Sequence, residues 1–267
     1  MPLQILEAKL AAQLKALPKD SQRQFLSLYN KSPGKLPFST IFKTNALPCG
    51  SDSPVGAVYP TICLINHSCV PNSHNNWNDN LEHETIHAIR PIEAGEEITI
   101  PYDKGGCTCL GCSLPPPELD DSDARRLQIQ LLDAAIGDPY RIMSEPREVL
   151  RDCYSMLQNL NEEFGGYIGI LGARLYYDAF QISIAHGDQA RASVFAKRAY
   201  ESRVLCEGED SPEAQRVRSL AMKPARHMSF ELASRQWRRS KDMVPKSLDT
   251  ESFEKWLFKL DLPRDLR

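Results

Sequence analysis

Three cysteines stand close together at Cys107, Cys109 and Cys112, in the order C-x-C-x2-C. Thiolates are favoured ligands of tetrahedral zinc, and a turn at Gly111 can bend all three round one ion. A structural zinc site closes with four ligands, so this spacing demands one more from elsewhere: Cys49, Cys63, Cys69 or a histidine. Burial as idle thiols suits Cys153 and Cys206, which fall in helical patterns. It suits three thiols in a Gly- and Pro-rich loop poorly, because such a loop offers no apolar face to cover them.

A second informative segment is Ile65-Asn66-His67-Ser68-Cys69-Val70-Pro71-Asn72, a polar insert after an apolar run. Taken alone, its Asn and His side chains serve to bridge backbone groups. Downstream lies Arg90-Pro91-Ile92-Glu93-Ala94-Gly95-Glu96-Glu97-Ile98-Thr99-Ile100-Pro101-Tyr102-Asp103. The first string resembles the N-H-S-C-x-P-N signature of the SET-domain methyltransferases. The second resembles the R-x-I-x-x-G-E-E-[IL]-T-x-x-Y segment of the same family, and the cysteine cluster its post-SET zinc motif. The three stand in the family's order, and the resemblance spans roughly residues 1–117. The remainder is similar to the C-terminal domain of the SMYD-like group, especially fungal members without a MYND finger.

This resemblance implies an S-adenosylmethionine-dependent protein-lysine N-methyltransferase acting on histones or other proteins. It makes Asn66 and His67 cofactor contacts, with Ile65 alongside and Asn45 as a looser match at the cofactor's amino-acid end. Cys69 becomes the fourth zinc ligand, and Tyr102 the catalytic tyrosine that orients the amine. The chemistry suits these residue types, because in-line methyl transfer needs positioning and electrostatics rather than a nucleophilic cysteine. The substrate lysine must arrive neutral, and a desolvated channel lowers its pKa. Two departures matter. The family's early Gly-x-Gly-type segment has no counterpart in these residues, and Lys104-Gly105-Gly106 stands where relatives carry an aromatic beside the cofactor. Weak cofactor binding and poor turnover are therefore expected, and a non-catalytic scaffold that binds partners through its helical part is the alternative.

The elements that must position these residues divide by texture. Leu3, Leu6, Leu10, Leu14 and Leu17 recur at helical spacing until Pro18, and Asp20 can cap a second helix to about Tyr29. Residues 30–56 read mainly as loop. Val58–Ile65, Thr85–Ile89 and Glu97–Ile100 carry strand composition, with Asn78-Asp79-Asn80 as a hairpin tip. Beyond Pro115-Pro116-Pro117 the period becomes helical, with helices expected over 122–136, 146–164, 170–186, 188–206, 211–222 and 228–240. Small residues at fixed spacing over 170–222 suggest tetratricopeptide-like hairpins. The expected class is α+β: a partial SET domain over 1–103, with a helical insert over 1–45 and the strands and N-H-S-C motif over 57–103. A post-SET zinc segment over 104–117 and an all-α domain over 118–267 follow.

Composition excludes several other classes. The net charge of -3, with 25% charged and 42% hydrophobic residues, fits a globular protein and lacks the basic footprint of a nucleic-acid binder. The locally basic stretch Arg235–Lys241 reads as a solvated helix face. No apolar run is long enough for a membrane span, and Met1–Ile5 does not open a signal peptide. Eight cysteines without either feature suggest a reducing intracellular compartment, nuclear or cytoplasmic. The family resemblance, not the composition, implies a protein or peptide partner bearing lysine.

Overall fold

The computed structural model describes residues 2–50, 53–102 and 107–260. Asp103 and Lys104–Gly106, singled out above, lie outside the described residues, as does Met1. The chain opens with α1 (Leu3–Ala16), α2 (Lys19–Ser27) and α3 (Pro37–Asn45). Pro18 ends the approach to α2 and sits at its N-cap, so Asp20 falls inside the first turn, paired with Arg23, and caps nothing. The presence of α3 corrects the expectation of loop over 30–56. Pro37 starts this helix rather than breaking it, because the first helical position needs no N–H donor.

Among the described residues six short strands follow, as three two-stranded sheets. β1 (Leu47–Pro48) pairs antiparallel with β2 (Gly56–Ala57). β3 (Asn66–His67) runs parallel to β6 (Thr99–Ile100), Asn66 opposite Thr99 and His67 opposite Ile100. β4 (Ser73–Asn78) and β5 (His83–Ala88) form the hairpin, with Asn78 opposite His83 at its tip. Val58–Ile65 is not a strand. Pro60 turns the chain, Cys63 N–H donates to Tyr59 O at 2.8 Å, and Ile62–Leu64 is a 3₁₀ turn.

The helical half comprises α4 (Pro116–Ile136), α5 (Pro139–Ser144), α6 (Pro146–Phe164), α7 (Gly169–Ala185), α8 (Gln189–Glu207), α9 (Pro212–Met222) and α10 (Thr250–Leu257). α6 ends at Gly165 in the left-handed conformation (φ 58°), the C-terminal stop that glycine permits at no steric cost. α7 and α8 form a hairpin in which Ala173, Ala179, Ala192, Ala196 and Ala199 are fully buried. These small side chains let the two backbones approach. Asp188 closes the turn, accepting the Arg191 N–H and pairing with its guanidinium at 2.6 Å.

The expected helix over 228–240 is absent. This stretch is a strap of turns whose amides occupy the last carbonyls of α7 and that of its C-cap His186: Glu231 N–H reaches Ile184 O, Ala233 N–H reaches Ala185 O and Trp237 N–H reaches His186 O. The end of a helix leaves such carbonyls without internal partners, and the strap supplies them. A charged composition hides this, because the segment's role lies in its backbone.

The main apolar core lies in the helical half, around Leu150, Leu160, Leu175, Phe180, Phe195 and Phe258. Before residue 116, the buried hydrophobics are Leu14, Leu28, Ile41, Ile89 and Ile100. A region with so small a core needs further fastening. Part of it comes from the helices: α8 packs against β4 and β5, and Arg126, held with Arg125 and Ser122 on the buried Glu163, donates to Cys69 O at 3.3 Å.

Burial against α8 has a consequence for pH. Desolvation, with His87 and Arg203 nearby, lowers the His74 pKa from 6.5 to about 4. A depressed pKa means that the unfolded chain binds the proton more tightly. The stability contributed by neutral His74 is therefore complete above about pH 6.5 and is lost as pH falls toward 4. His74→Phe should flatten this loss: between pH 7 and pH 4.5 the urea midpoint of the variant should fall less than that of the wild type. Equal slopes would show that His74 does not take part.

Candidate functional site

β3 and β6 place the motif residues side by side. Asn72 is the fastener. Its side chain is buried, and its Nδ2 donates to Glu97 O at 2.8 Å and Glu96 Oε1 at 3.0 Å. Its Oδ1 accepts the Thr99 N–H at 2.9 Å. Ser73 Oγ adds a bond to Thr99 O at 2.9 Å, and Ser68 N–H one to Ile100 O at 3.2 Å. Hydrogen bonds from Arg90 first, then Asn72 and the Glu93 amide, hold the Glu96 carboxyl down at about 2. Together these bonds lock the 65–73 segment to the 96–102 segment. Asn72 stands in the recognised motif, yet only its burial reveals it as the clamp. Asn72→Ala leaves the Thr99 amide and the Glu97 carbonyl unpartnered, and should cost about 2–4 kcal/mol, read as a lower urea midpoint. An unchanged midpoint would remove Asn72 from this role.

Tyr102 sits at the end of this lock. Its hydroxyl donates to Ile65 O, and its backbone N–H donates to His67 Nδ1 at 2.8 Å. The His67 and Tyr102 rings lie 5.5 Å apart. Because Nδ1 accepts, neutral His67 carries its proton on Nε2, which faces Cys69 Sγ at 3.4 Å. His67 thus bridges the tyrosine backbone and one thiol of the cysteine cluster. Burial, and to a lesser extent Cys63, raises the Tyr102 pKa, so its hydroxyl stays protonated at neutral pH. The residue remains 37% exposed, enough to meet a bound molecule.

The other expected cofactor residues are placed less uniformly. Asn66 is exposed on β3, with its Nδ2 on Glu97 Oε1 at 2.6 Å. Asn45 caps α3 internally, donating to Ile41 O and Tyr29 O, each at 2.8 Å. Cys63, weighed above as a zinc ligand, instead binds Asn45: its Sγ donates to Asn45 O at 3.0 Å. The structure therefore brings Tyr102 into contact with Ile65 and His67, ties Asn45 to Cys63, and turns the Asn66 amide toward Glu97.

The four cysteines Cys69, Cys107, Cys109 and Cys112 converge, all sulfur atoms within 4.8 Å of one another. Separations of 3.5 Å (Cys69 to Cys107), 3.6 Å (Cys69 to Cys112) and 3.4 Å (Cys107 to Cys112) are too long for a disulfide bond. They are close to the ~3.8 Å edge of a tetrahedron of thiolates bound to zinc. Burial and the neighbouring thiols push Cys69 up to about 12. Burial also acts to raise Cys109, but the Cys69 and Cys112 amides and the adjacent thiols outweigh it and bring it to about 6. The donor set and its convergence fit zinc. Cys49 and Cys63 lie apart from it: Cys49 Sγ meets Tyr59 Oη at 3.5 Å.

Comparison with known proteins shows the family. A family model described as SET domain matches residues 6–103. Histone-lysine N-methyltransferase set5 of Schizosaccharomyces pombe is 32% identical over 228 residues, covering 78% of this chain and 70% of the relative. The chain belongs to the SET-domain family. Histone-lysine N-methyltransferase SMYD3 of Mus musculus and of Homo sapiens are each 49% identical over 45 residues, 17% of this chain and 10% of theirs. The SET match ends beside Tyr102, whereas the set5 similarity is too long to be confined to it. No described helix is long and apolar enough to cross a membrane.

Proposed function

We propose that this SET-domain protein is an S-adenosylmethionine-dependent protein-lysine N-methyltransferase, with a histone or another lysine-bearing protein as substrate. The observation that carries this is the direct contact of Tyr102 with Ile65 and His67, on a segment locked by Asn72. Bound S-adenosylmethionine would supply an electrophilic methyl group on a sulfonium. Ile65, Asn66 and His67 would hold it, with Asn45 at its amino-acid end. The protonated Tyr102 hydroxyl, already committed to the Ile65 carbonyl, would orient the incoming neutral amine. Zinc on Cys69, Cys107, Cys109 and Cys112 would be structural, because four thiols fill its coordination and leave no open position for chemistry. A compartment that keeps thiols reduced, nucleus or cytoplasm, fits this site.

One observation favours the second reading, a non-catalytic scaffold: the Asn66 amide is held by Glu97, so a cofactor must compete for it. Calorimetry with S-adenosylmethionine separates the two. The methyltransferase reading expects saturable binding that Glu97→Gln leaves intact or tightens, since the competing carboxylate is weakened. Absence of binding in both proteins would leave the scaffold.

A further inference from the structure

Away from the strands, a cavity of about 340 Å³ opens between the end of α4, α5, α7 and the strap at 229–233. Its floor is apolar: Ile136, Ile182 and Ala185 are almost fully buried. Its rim is apolar too, and exposed, with Met143 at 54% and Leu232 at 74% accessibility. Polar groups enter on Asp178, Gln181 and Ser229, and Asp178 is the one charged residue of the lining.

The cations nearby are already engaged. Arg174, one turn before Asp178, places its Nη2 on Asp133 Oδ2 at 3.0 Å, and Arg141 pairs with Asp152 at 2.8 Å. Among the described residues no cation forms an ion pair with the Asp178 carboxyl, Arg174 and Arg141 being turned to Asp133 and Asp152. Burial raises its pKa to about 6, with Arg174 opposing and Asp133 reinforcing, so the carboxyl is ionised at neutral pH. The groove also lies at the C-terminal end of α4, where the helix dipole favours positive charge. An apolar slot with one ionised acid that has no direct ion pair matches a long aliphatic stem carrying a cation.

We propose that this groove docks a lysine or arginine side chain from a basic peptide segment of a partner protein, its methylenes on Ile142, Ile182 and Met143 and its charged head on Asp178. The inference does not depend on methyl transfer. A cavity of this size falls at the lower end of the ~300–1,000 Å³ of small-ligand sites, room for one such side chain and its flanking backbone.

The test uses capped pentapeptides, Ac-Gly-Gly-Xaa-Gly-Gly-NH2, titrated into the whole chain with methyl-labelled methionine and followed at the Met143 signal by NMR. With Xaa lysine or arginine the signal should shift and saturate. With norleucine, which keeps the stem and loses the charge, affinity should fall about five-fold, the scale of one partly exposed ion pair. Asp178→Asn should bring the lysine peptide down to the norleucine level, and Asp178→Glu should restore part of the difference. Equal binding of lysine and norleucine, no saturation by either cationic peptide, or an unchanged affinity in Asp178→Asn would each overturn the proposal. The norleucine comparison needs no variant, so it decides even if a substitution at Asp178 disturbs the fold.

Discussion

Cys112→Ser should strip the chain of most of its zinc and loosen the whole segment from Ile65 to Tyr102. Purified under reducing conditions, the wild type should carry about one zinc per chain, and the variant far less. The size of the effect follows from two facts. Structural zinc contributes roughly 10–16 kcal/mol of apparent binding energy in small zinc domains, and that energy is folding energy. The strand region has only a handful of buried apolar side chains of its own, so it has little else to rely on. The route to Tyr102 is specific. Cys69 lies on the segment locked by Asn72, its sulfur faces His67 Nε2, and His67 Nδ1 receives the Tyr102 amide. Loss of the metal should therefore appear first as faster hydrogen exchange at the Tyr102 amide, while the helices from α6 to α8, whose core is separate, keep their protection. Zinc-free wild type, or full zinc retention by Cys112→Ser, would refute the four-cysteine site.

How far the sequence spoke depended on whether a residue's role was local. α6 was legible to the residue, because Pro146 can start a helix, Gly165 can stop one, and the apolar period between them is clean. The α7–α8 hairpin was legible for similar reasons, with Gly187-Asp188 as its turn. α3 was obscured by Pro33, Gly34 and Pro37, loop residues by count, of which Pro37 starts the helix by position. β4 was not recognisable by composition, since Ser73-His74-Asn75-Asn76-Trp77-Asn78 has almost no strand propensity. Its pairing with β5 and its packing against α8 decide it, and both are tertiary. The strap over 228–240 failed in the opposite direction, because its function is to meet the α7 carbonyls with its own amides, which no side-chain pattern encodes.

The site shows the same division. The cysteine spacing announced a metal ligand set and left its fourth member open, and the family motif then pointed to Cys69. The convergence of the four sulfurs agrees with that choice. Asn72, Cys63 and Glu97 were hidden, since each acts by reaching across the chain to a backbone group or a side chain distant in sequence. Motifs name the residues that meet a ligand more readily than those that hold the first group in place.

Tyr102→Phe should abolish most methyl transfer while leaving cofactor affinity nearly unchanged. The hydroxyl is the one atom removed. Its partner is the Ile65 carbonyl, so the loss falls on the group that would align the amine and not on Asn66 or His67. A positioned hydroxyl of this kind is worth on the order of 10²–10⁴ in rate. The backbone N–H of Tyr102 survives the change, so His67 keeps its hydrogen bond and the fold should be little altered. A companion substitution acts on the other step. Gly106→Phe puts an aromatic at the position just before Cys107, where the family resemblance expects one. Stacking contributes about 0.5–1.5 kcal/mol beyond area burial, or roughly two- to thirteen-fold in affinity. It should therefore tighten S-adenosylmethionine and raise a low basal rate at subsaturating cofactor. Labelled-cofactor assays on a lysine-bearing protein, paired with calorimetry, read the two effects separately: Tyr102→Phe lowers the rate at fixed affinity, and Gly106→Phe shifts the affinity. In the double variant the gain from Gly106→Phe should remain in binding and vanish in turnover, because binding no longer leads to an aligned amine. Turnover in Tyr102→Phe equal to that of the wild type would show that another group performs the alignment and would remove Tyr102 from the mechanism.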